Sequence, residues 1–120
     1  MPHLTLEYTA NLSDFDPTGI LEALNRTMAD SGLFDEADIK SRALRLDAFR
    51  IGTSATPRAF VHAKVSLMPG RSLEARQQLS ASLLAALSPR IQVAPGIEVQ
   101  LCVELFEIDK STYTKENRGV

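Results

Sequence analysis

Every second residue is apolar from His3 to Tyr8, and the same alternation returns twice later in the chain. A period of two residues is typical of a strand with one apolar face. It predicts further strands over Ala59–Leu67 and Ile97–Leu105. Another strand is predicted over Ala43–Ile51, which is rich in Leu, Phe and Ile, with a bulge or bend after Leu46 where the face pattern shifts.

Two segments between these strands have apolar residues at helical spacing. The first begins at Asp16-Pro17, an N-cap followed by proline at the first helical position, and Gly32 ends it. The second begins after Ser72 and is stopped by Ser88-Pro89. The predicted apolar stripes are Ile20, Leu21, Leu24 and Met28 in the first helix, and Leu73, Leu79, Leu83, Leu84 and Leu87 in the second.

The element order is β-α-β, a turn and β-α-β, in half-units of about residues 1–52 and 58–108. Each crossover has the length that parallel pairing needs, and right-handed crossovers place both helices on one face of a sheet. The predicted fold class is α+β, in an α/β two-layer arrangement. Two consecutive β-α-β units form a four-stranded sheet with two helices on one face, in a single domain over residues 1–120 with a polar tail over 109–120.

The sheet face that no helix covers has a mixed character. It is too apolar for ordinary solvent surface and too polar for a core, so it is either a partly exposed face or an interface with other subunits. The residues predicted to lie on it are Thr5, Glu7, Phe60, His62, Lys64, Gln100, Cys102 and Phe106.

Composition and charge narrow the possible functions. With 44% hydrophobic and 23% charged residues the chain is globular, and its net charge of −2 argues against a nucleic-acid partner. No apolar run of about 18 residues and no signal peptide is recognisable, so neither a membrane span nor export is predicted. Cys102, the single cysteine, cannot form an internal disulfide, and a cytoplasmic location is expected.

No metal or cofactor site is predicted. The two histidines, His3 and His62, have no third ligand at metal spacing and are interpreted as structural or interfacial. The sequence also lacks a glycine-rich phosphate loop, so it gives no support for a nucleotide cofactor.

Pro2 is the first residue along the chain that could take part in a reaction. A proline at the start of a strand is ordinary, because no ladder N–H is required there. Removal of Met1, however, would leave a secondary amine, and an α-amino group has an unperturbed pKa of about 7.7–8.0. Burial and nearby cations lower that pKa, which suits a general base at neutral pH. Pro2 is therefore either structural or catalytic.

Three cations are candidates for binding a small carboxylate. Arg71 precedes the second predicted helix, where its charge opposes the helix dipole, and a guanidinium group binds carboxylates through two parallel hydrogen bonds. Lys40 and Arg42 lie two residues apart and share one side if a strand begins there. For all three, the alternative is an ordinary solvated side chain.

Six segments also carry a family resemblance over nearly the whole chain, in order and with similar spacing. They are Met1-Pro2-His3, Ile39-Lys40-Ser41-Arg42, Ala59-Phe60-Val61-His62, Gly70–Gln78, Phe106-Glu107-Ile108 and Thr112–Asn117. Together they resemble the 5-carboxymethyl-2-hydroxymuconate Δ-isomerases of the tautomerase superfamily. The family pattern Ile-Arg-Ser-Arg has a lysine here in its first cationic position, and lysine keeps the charge without the planar fork of arginine.

The resemblance implies a homotrimer whose sheets face one another around a central axis. It further implies a cofactor-free tautomerisation, in which Pro2 moves a proton as base and acid. Arg71, Lys40 and Arg42 would bind the carboxylates of a small substrate and stabilise charge on its 2-oxygen.

Two other functions fit the same residues. One is a tautomerase with another substrate, such as a phenylpyruvate-type enol or an unsaturated halo-acid. The other is a non-catalytic small-ligand module, because ferredoxin-like regulatory domains share the β-α-β-β-α-β order. Their sheets are usually antiparallel, whereas the trimeric interpretation needs parallel pairing inside each half.

Overall fold

The four strands and two main helices appear in the predicted order in a computed structural model, which describes residues 1–119. They are β1 (Pro2–Thr9), α1 (Pro17–Asp30), β2 (Lys40–Leu46), β3 (Arg58–Leu67), α2 (Leu73–Leu87) and β4 (Glu98–Glu107). Short 3-10 turns occupy Glu36–Asp38, Ser88–Arg90 and Lys110–Thr112.

Strand pairing follows the two halves of the sequence. β1 pairs with β2 in parallel and β3 pairs with β4 in parallel, while β1 and β3 join the halves in antiparallel fashion. The sheet order is β2-β1-β3-β4. The predicted parallel pairing inside each half and the α+β fold class are therefore confirmed, and the sheet differs from the antiparallel sheet of ferredoxin-like domains.

Local side-chain hydrogen bonds begin both helices where the sequence predicts. The carboxylate of Asp16 accepts a 3.1 Å bond from the amide of Gly19, and Pro17 occupies the first turn. At α2, the hydroxyl of Ser72 accepts a 3.1 Å bond from the amide of Ala75. These bonds satisfy amides that have no partner within the helix.

The core lies between the sheet and the two helices. Its fully buried side chains include Leu4 and Leu6 of β1, alternate residues of β3, and Ile20, Leu24, Met28, Leu79, Leu83 and Leu87 of the helices. The prediction that Leu73 and Leu84 belong to this stripe is wrong, since they are 61% and 39% exposed. Successive helical residues are rotated by about 100°, so Leu84 turns away from the face that its neighbour buries.

The second strand is displaced from its predicted position. It covers Lys40–Leu46 instead of Ala43–Ile51, and the chain bends at Asp47. The physical reason is that β2 pairs only with β1, whose last residue, Thr9, is in register with Leu46. Beyond that point no partner is available for the backbone. The other strand boundaries differ from the predictions by one or two residues.

The uncovered face of the sheet combines charged and polar side-chain contacts with apolar residues. Lys64 lies 3.1 Å from the carboxylate of Glu7, and His62 lies 2.8 Å from that of Glu104. Phe106 on β4 is 43% exposed. Among residues 1–119, no helix has the length and apolar character needed to cross a membrane.

Candidate active site

Pro2 is buried at the first position of β1. It pairs with Leu67 of β3, and its lack of an N–H removes no bond that the strand end requires. With Met1 in place, the nitrogen of Pro2 is an amide; without Met1, it is a secondary amine at the same strand end. The local structure is thus compatible with both interpretations made from the sequence.

The amino terminus borders a pocket of about 360 Å³. Its lining comes from the start of β1, the connection from α1 to β2 and the connection from β3 to α2: Met1, Gly32, Leu33, Phe34, Asp35, Asp38, Met68 and Arg71. The fold therefore brings Arg71 to the same pocket as Met1, the neighbour of Pro2, whereas Pro2, Lys40 and Arg42 are not among the lining residues. Larger pockets of about 480 to 520 Å³ lie along the helices, and none of the predicted site residues lines them.

Arg71 is held in a fixed orientation. Its guanidinium group donates to the backbone carbonyls of Met68 (3.0 Å) and Leu33 (2.8 Å) and lies 4.7 Å from the centre of the Phe34 ring. Gly70, at a φ of +117°, provides the turn that places it there. A guanidinium group has five N–H donors, so these two bonds leave donors for a ligand.

Lys40 and Arg42 lie on the same side of β2, as predicted for a strand that begins there. They are in register with His3 and Thr5 of β1. One guanidinium nitrogen of Arg42 lies 3.0 Å from Nδ1 of His3, and the ammonium group of Lys40 donates to the carbonyl of Asp38 at 2.8 Å. Both cations therefore lie beside the first residues of β1.

The contact with Arg42 determines which ring nitrogen of neutral His3 carries the proton. Arginine can only donate, so Nδ1 of His3 accepts and the proton of a neutral imidazole lies on Nε2. Nε2 in turn lies 2.9 Å from the hydroxyl of Tyr113. A chain of hydrogen bonds thus runs from β2 through β1 to the C-terminal segment.

Three further residues reach this region that the sequence did not single out. They are Asp38, Tyr113 and Lys115. The ammonium group of Lys115 lies 2.7 Å from Oδ1 of Asp38, and the Met1 amine lies 3.6 Å from Oδ2. The hydroxyl of Tyr113 also contacts the sulfur of Met1 at 2.8 Å. No periodicity marks these residues; only the resemblance of residues 112–117 to the family's ending drew attention to their segment.

The surroundings favour neutral forms of the amine and of the imidazole. Burial lowers the pKa of the Met1 amine, the cations Lys40 and Lys115 lower it further, and Asp38 opposes them. Burial also lowers the pKa of His3, with Arg42 and Lys40 as the next causes. The hydrogen bond from Lys115 is the main reason that the pKa of Asp38 lies below its usual value. The Met1 amine thus loses its proton at a lower pH than an ordinary α-amino group.

No group of three or more His, Cys, Asp or Glu side chains in the described part of the chain is placed to hold a metal ion. The chemistry within reach of the pocket is that of an amine among cationic side chains. Such a set can bind an anion and move a proton.

A family model described as 5-carboxymethyl-2-hydroxymuconate isomerase matches residues 2–118. The chain belongs to this family. The family resemblance of the sequence is thereby confirmed, and the protein is an isomerase of the tautomerase superfamily. The 5-carboxymethyl-2-hydroxymuconate Delta-isomerase of Escherichia coli is 32% identical over 111 residues, which are 92% of this chain and 86% of that protein.

Solved structures agree with this assignment. A 5-carboxymethyl-2-hydroxymuconate isomerase from Deinococcus radiodurans R1 superposes with a TM-score of 0.88 and 31% identity, covering 98% of this chain and 90% of that one. A fused 4-OT described as a symmetric trimer has a TM-score of 0.69 and 20% identity, covering 96% and 92%. At that identity it shows a shared fold only.

Proposed function

We propose that this isomerase converts 5-carboxymethyl-2-hydroxymuconate, or a similar small polycarboxylate, by tautomerisation at the amino terminus of β1. The observation that carries the proposal is that Met1, the residue before Pro2, and Arg71 border one pocket in a member of this family. The reaction belongs to the breakdown of aromatic compounds. It moves one proton within the substrate and requires no redox group or other cofactor.

Pro2 is the proposed base and acid. Once Met1 is removed, its secondary amine takes the proton of the 2-hydroxyl group and returns it to a distant carbon. Burial and the cations Lys40 and Lys115 lower the pKa of the Met1 amine, and the same cations lie near the strand end where Pro2 would act as a neutral base. The proline ring also restricts the amine to few orientations, so little freedom is lost when the substrate binds.

Arg71, Lys40 and Arg42 are the proposed substrate-binding residues. Arg71 already has a fixed orientation through Met68 and Leu33, so its free donors can meet a carboxylate without reorganisation. Lys40 and Arg42 lie on β2, in register with His3 and Thr5 of β1, so they flank the residues that follow Pro2. A substrate with several carboxylates can therefore meet Arg71 in the pocket and Lys40 or Arg42 beside β1.

The assembly is proposed to be a homotrimer packed through the uncovered face of the sheet. That face combines exposed Phe106 with the Lys64–Glu7 ion pair and the His62–Glu104 hydrogen bond, a mixture that suits an interface between subunits. The fused 4-OT structure with the same fold is a symmetric trimer. The single cysteine, Cys102, suits a reducing compartment, and the cytoplasm is the proposed location.

Mass spectrometry and two variants test this function. The protein as made in its own cell is expected to lack Met1. Pro2→Ala and Arg71→Ala should each lower kcat/KM for 5-carboxymethyl-2-hydroxymuconate by about 100-fold or more. Pro89→Ala and Arg26→Ala, both exposed and remote from the pocket, serve as controls.

Full turnover by Pro2→Ala would overturn the proposal. A substrate panel addresses the nearest alternative, since equal turnover of a monocarboxylate enol would favour a tautomerase with another substrate. A monomeric or dimeric native mass together with an unreactive amino terminus would favour a binding module instead.

A further inference from the structure

The C-terminal segment 109–119 returns to the amino terminus of the chain. Asp109 begins the turn by accepting hydrogen bonds from the amide (3.1 Å) and hydroxyl (2.6 Å) of Ser111. Tyr113 follows and contacts His3 at 2.9 Å. Two residues later, Lys115 reaches Asp38. Both contacts are made with residues next to the proposed substrate pocket, so the segment is packed against the site.

Asp38 is the residue that positions Lys115. Its two carboxylate oxygens each face a different cation: Oδ1 faces the ammonium group of Lys115 at 2.7 Å, and Oδ2 faces the terminal amine of Met1 at 3.6 Å. Asp38 also lines the pocket. The ammonium group of Lys115 is thereby held at a carboxylate that lines the pocket, and this contact does not depend on Met1.

Positive charge exceeds negative charge at this end of the pocket. Lys40 and Lys115 both act on the carboxylate of Asp38. Asp35 lines the pocket as well, with Arg71 as a further cation. Among the described residues near Lys115, Glu116 pairs with Arg118 and does not compete for the lysine.

The ammonium group of Lys115 has hydrogen-bond donors left for a ligand. An ammonium group has three donors, and Asp38 takes one of them. The side chain is 26% exposed, so the group is restrained by Asp38 but still reaches solvent. A restrained cation with unused donors binds an anion at a low entropic cost.

We propose that Lys115 is a further substrate-binding residue, which the C-terminal segment brings beside the pocket and Asp38 holds there. It binds one carboxylate of a polycarboxylate substrate and so makes the site selective for substrates with several carboxylates. Tyr113 is a positioning residue that anchors the segment through His3. The inference rests on the proposed function, because it assigns a ligand group to the same pocket.

Steady-state kinetics with two substrates test the inference. Lys115→Met should raise KM for 5-carboxymethyl-2-hydroxymuconate by about 10- to 100-fold, since a hydrogen bond between two charged groups is lost. It should leave KM for phenylenolpyruvate, which has one carboxylate, within about twofold. Lys115→Arg should restore most of the affinity. Lys110→Met removes an exposed lysine of the same segment and should behave as the wild type.

Calorimetry with tricarballylate, a tricarboxylate that cannot react, gives a readout independent of turnover. Its Kd should increase by about tenfold or more in Lys115→Met and stay unchanged in Lys110→Met. Unchanged affinity in Lys115→Met, or no binding to the wild type, would overturn the assignment of Lys115. If the wild type binds tricarballylate through Lys115 but isomerises neither substrate, the proposed function fails while the anion site stands.

Discussion

The guanidinium group of Arg71 donates a 2.8 Å hydrogen bond to the backbone carbonyl of Leu33, which lies 38 residues earlier in the chain. The bond joins the loop after α1 to the turn before α2, and so connects the two β-α-β halves at the pocket. Arg71 therefore has a structural role in addition to its proposed role in binding the substrate.

Arg71→Lys separates these two roles. Lysine keeps the positive charge but cannot bridge the carbonyls of Leu33 and Met68 while it covers Phe34. We expect the free energy of unfolding to fall by about 1–2 kcal/mol and kcat/KM to fall by about tenfold or more. Urea denaturation and steady-state kinetics measure the two effects.

Arg26→Lys is the matched control, because Arg26 is 73% exposed on α1 and its carboxylate partner within residues 1–119 is Glu22 at 3.8 Å. It should change neither quantity appreciably. If Arg71→Lys had the same free energy of unfolding and the same kcat/KM as the wild type, the hydrogen bonds of Arg71 to Leu33 and Met68 would contribute neither to stability nor to activity.

His3 makes the stability of the protein depend on pH. Its pKa in the folded state lies below the ordinary value of 6.5, mainly because of burial and then because of Arg42. Below pH 6.5 the unfolded chain therefore takes up the proton first. The contribution of His3 to stability is complete above pH 6.5 and is lost as the pH falls through its folded pKa.

Arg42→Gln should raise the pKa of His3, because the variant loses both a nearby positive charge and the donor to Nδ1. An NMR titration of the imidazole measures this shift directly. Arg45→Gln is the control: Arg45 lies on the opposite face of β2 and pairs with Asp47. A pKa of His3 at or above 6.5 in the wild type would contradict the described environment.

If subunits pack through the uncovered face of the sheet, one carboxylate introduced on that face should disrupt the oligomer. Phe106→Glu places a carboxylate on this face and should convert a trimer to monomers, as measured by light scattering after size-exclusion chromatography. Leu73→Glu is the control, since Leu73 is 61% exposed on α2, in the helical layer. A wild-type protein with the mass of one chain would contradict the trimer.

Much of the fold could be predicted because the deciding signals are local. Alternation in β1, β3 and β4 and the caps at Asp16 and Ser72 each depend on a few adjacent residues. The end of β2 could not be predicted in the same way. The last residue of β2 is determined by the last residue of its partner β1, and the sequence of residues 43–51 alone gives no information about that partner.

The site shows the same division. Pro2, Lys40, Arg42 and Arg71 could be proposed from their chemistry and from the family resemblance. Asp38, Tyr113 and Lys115 could not be assigned a role, because their contacts join segments far apart in the chain. A polar tail without periodicity gives no indication of the surface that it packs against.

The free amine of Pro2 is the central claim, and one comparison tests it most directly. The chain beginning at Pro2 is compared with the same chain carrying one retained residue before Pro2, which turns the amine into an amide without altering any side chain of the pocket. We predict that kcat/KM for 5-carboxymethyl-2-hydroxymuconate is about 100-fold or more lower in the extended protein, with equal folding by circular dichroism. Equal kcat/KM in the two proteins would contradict the account.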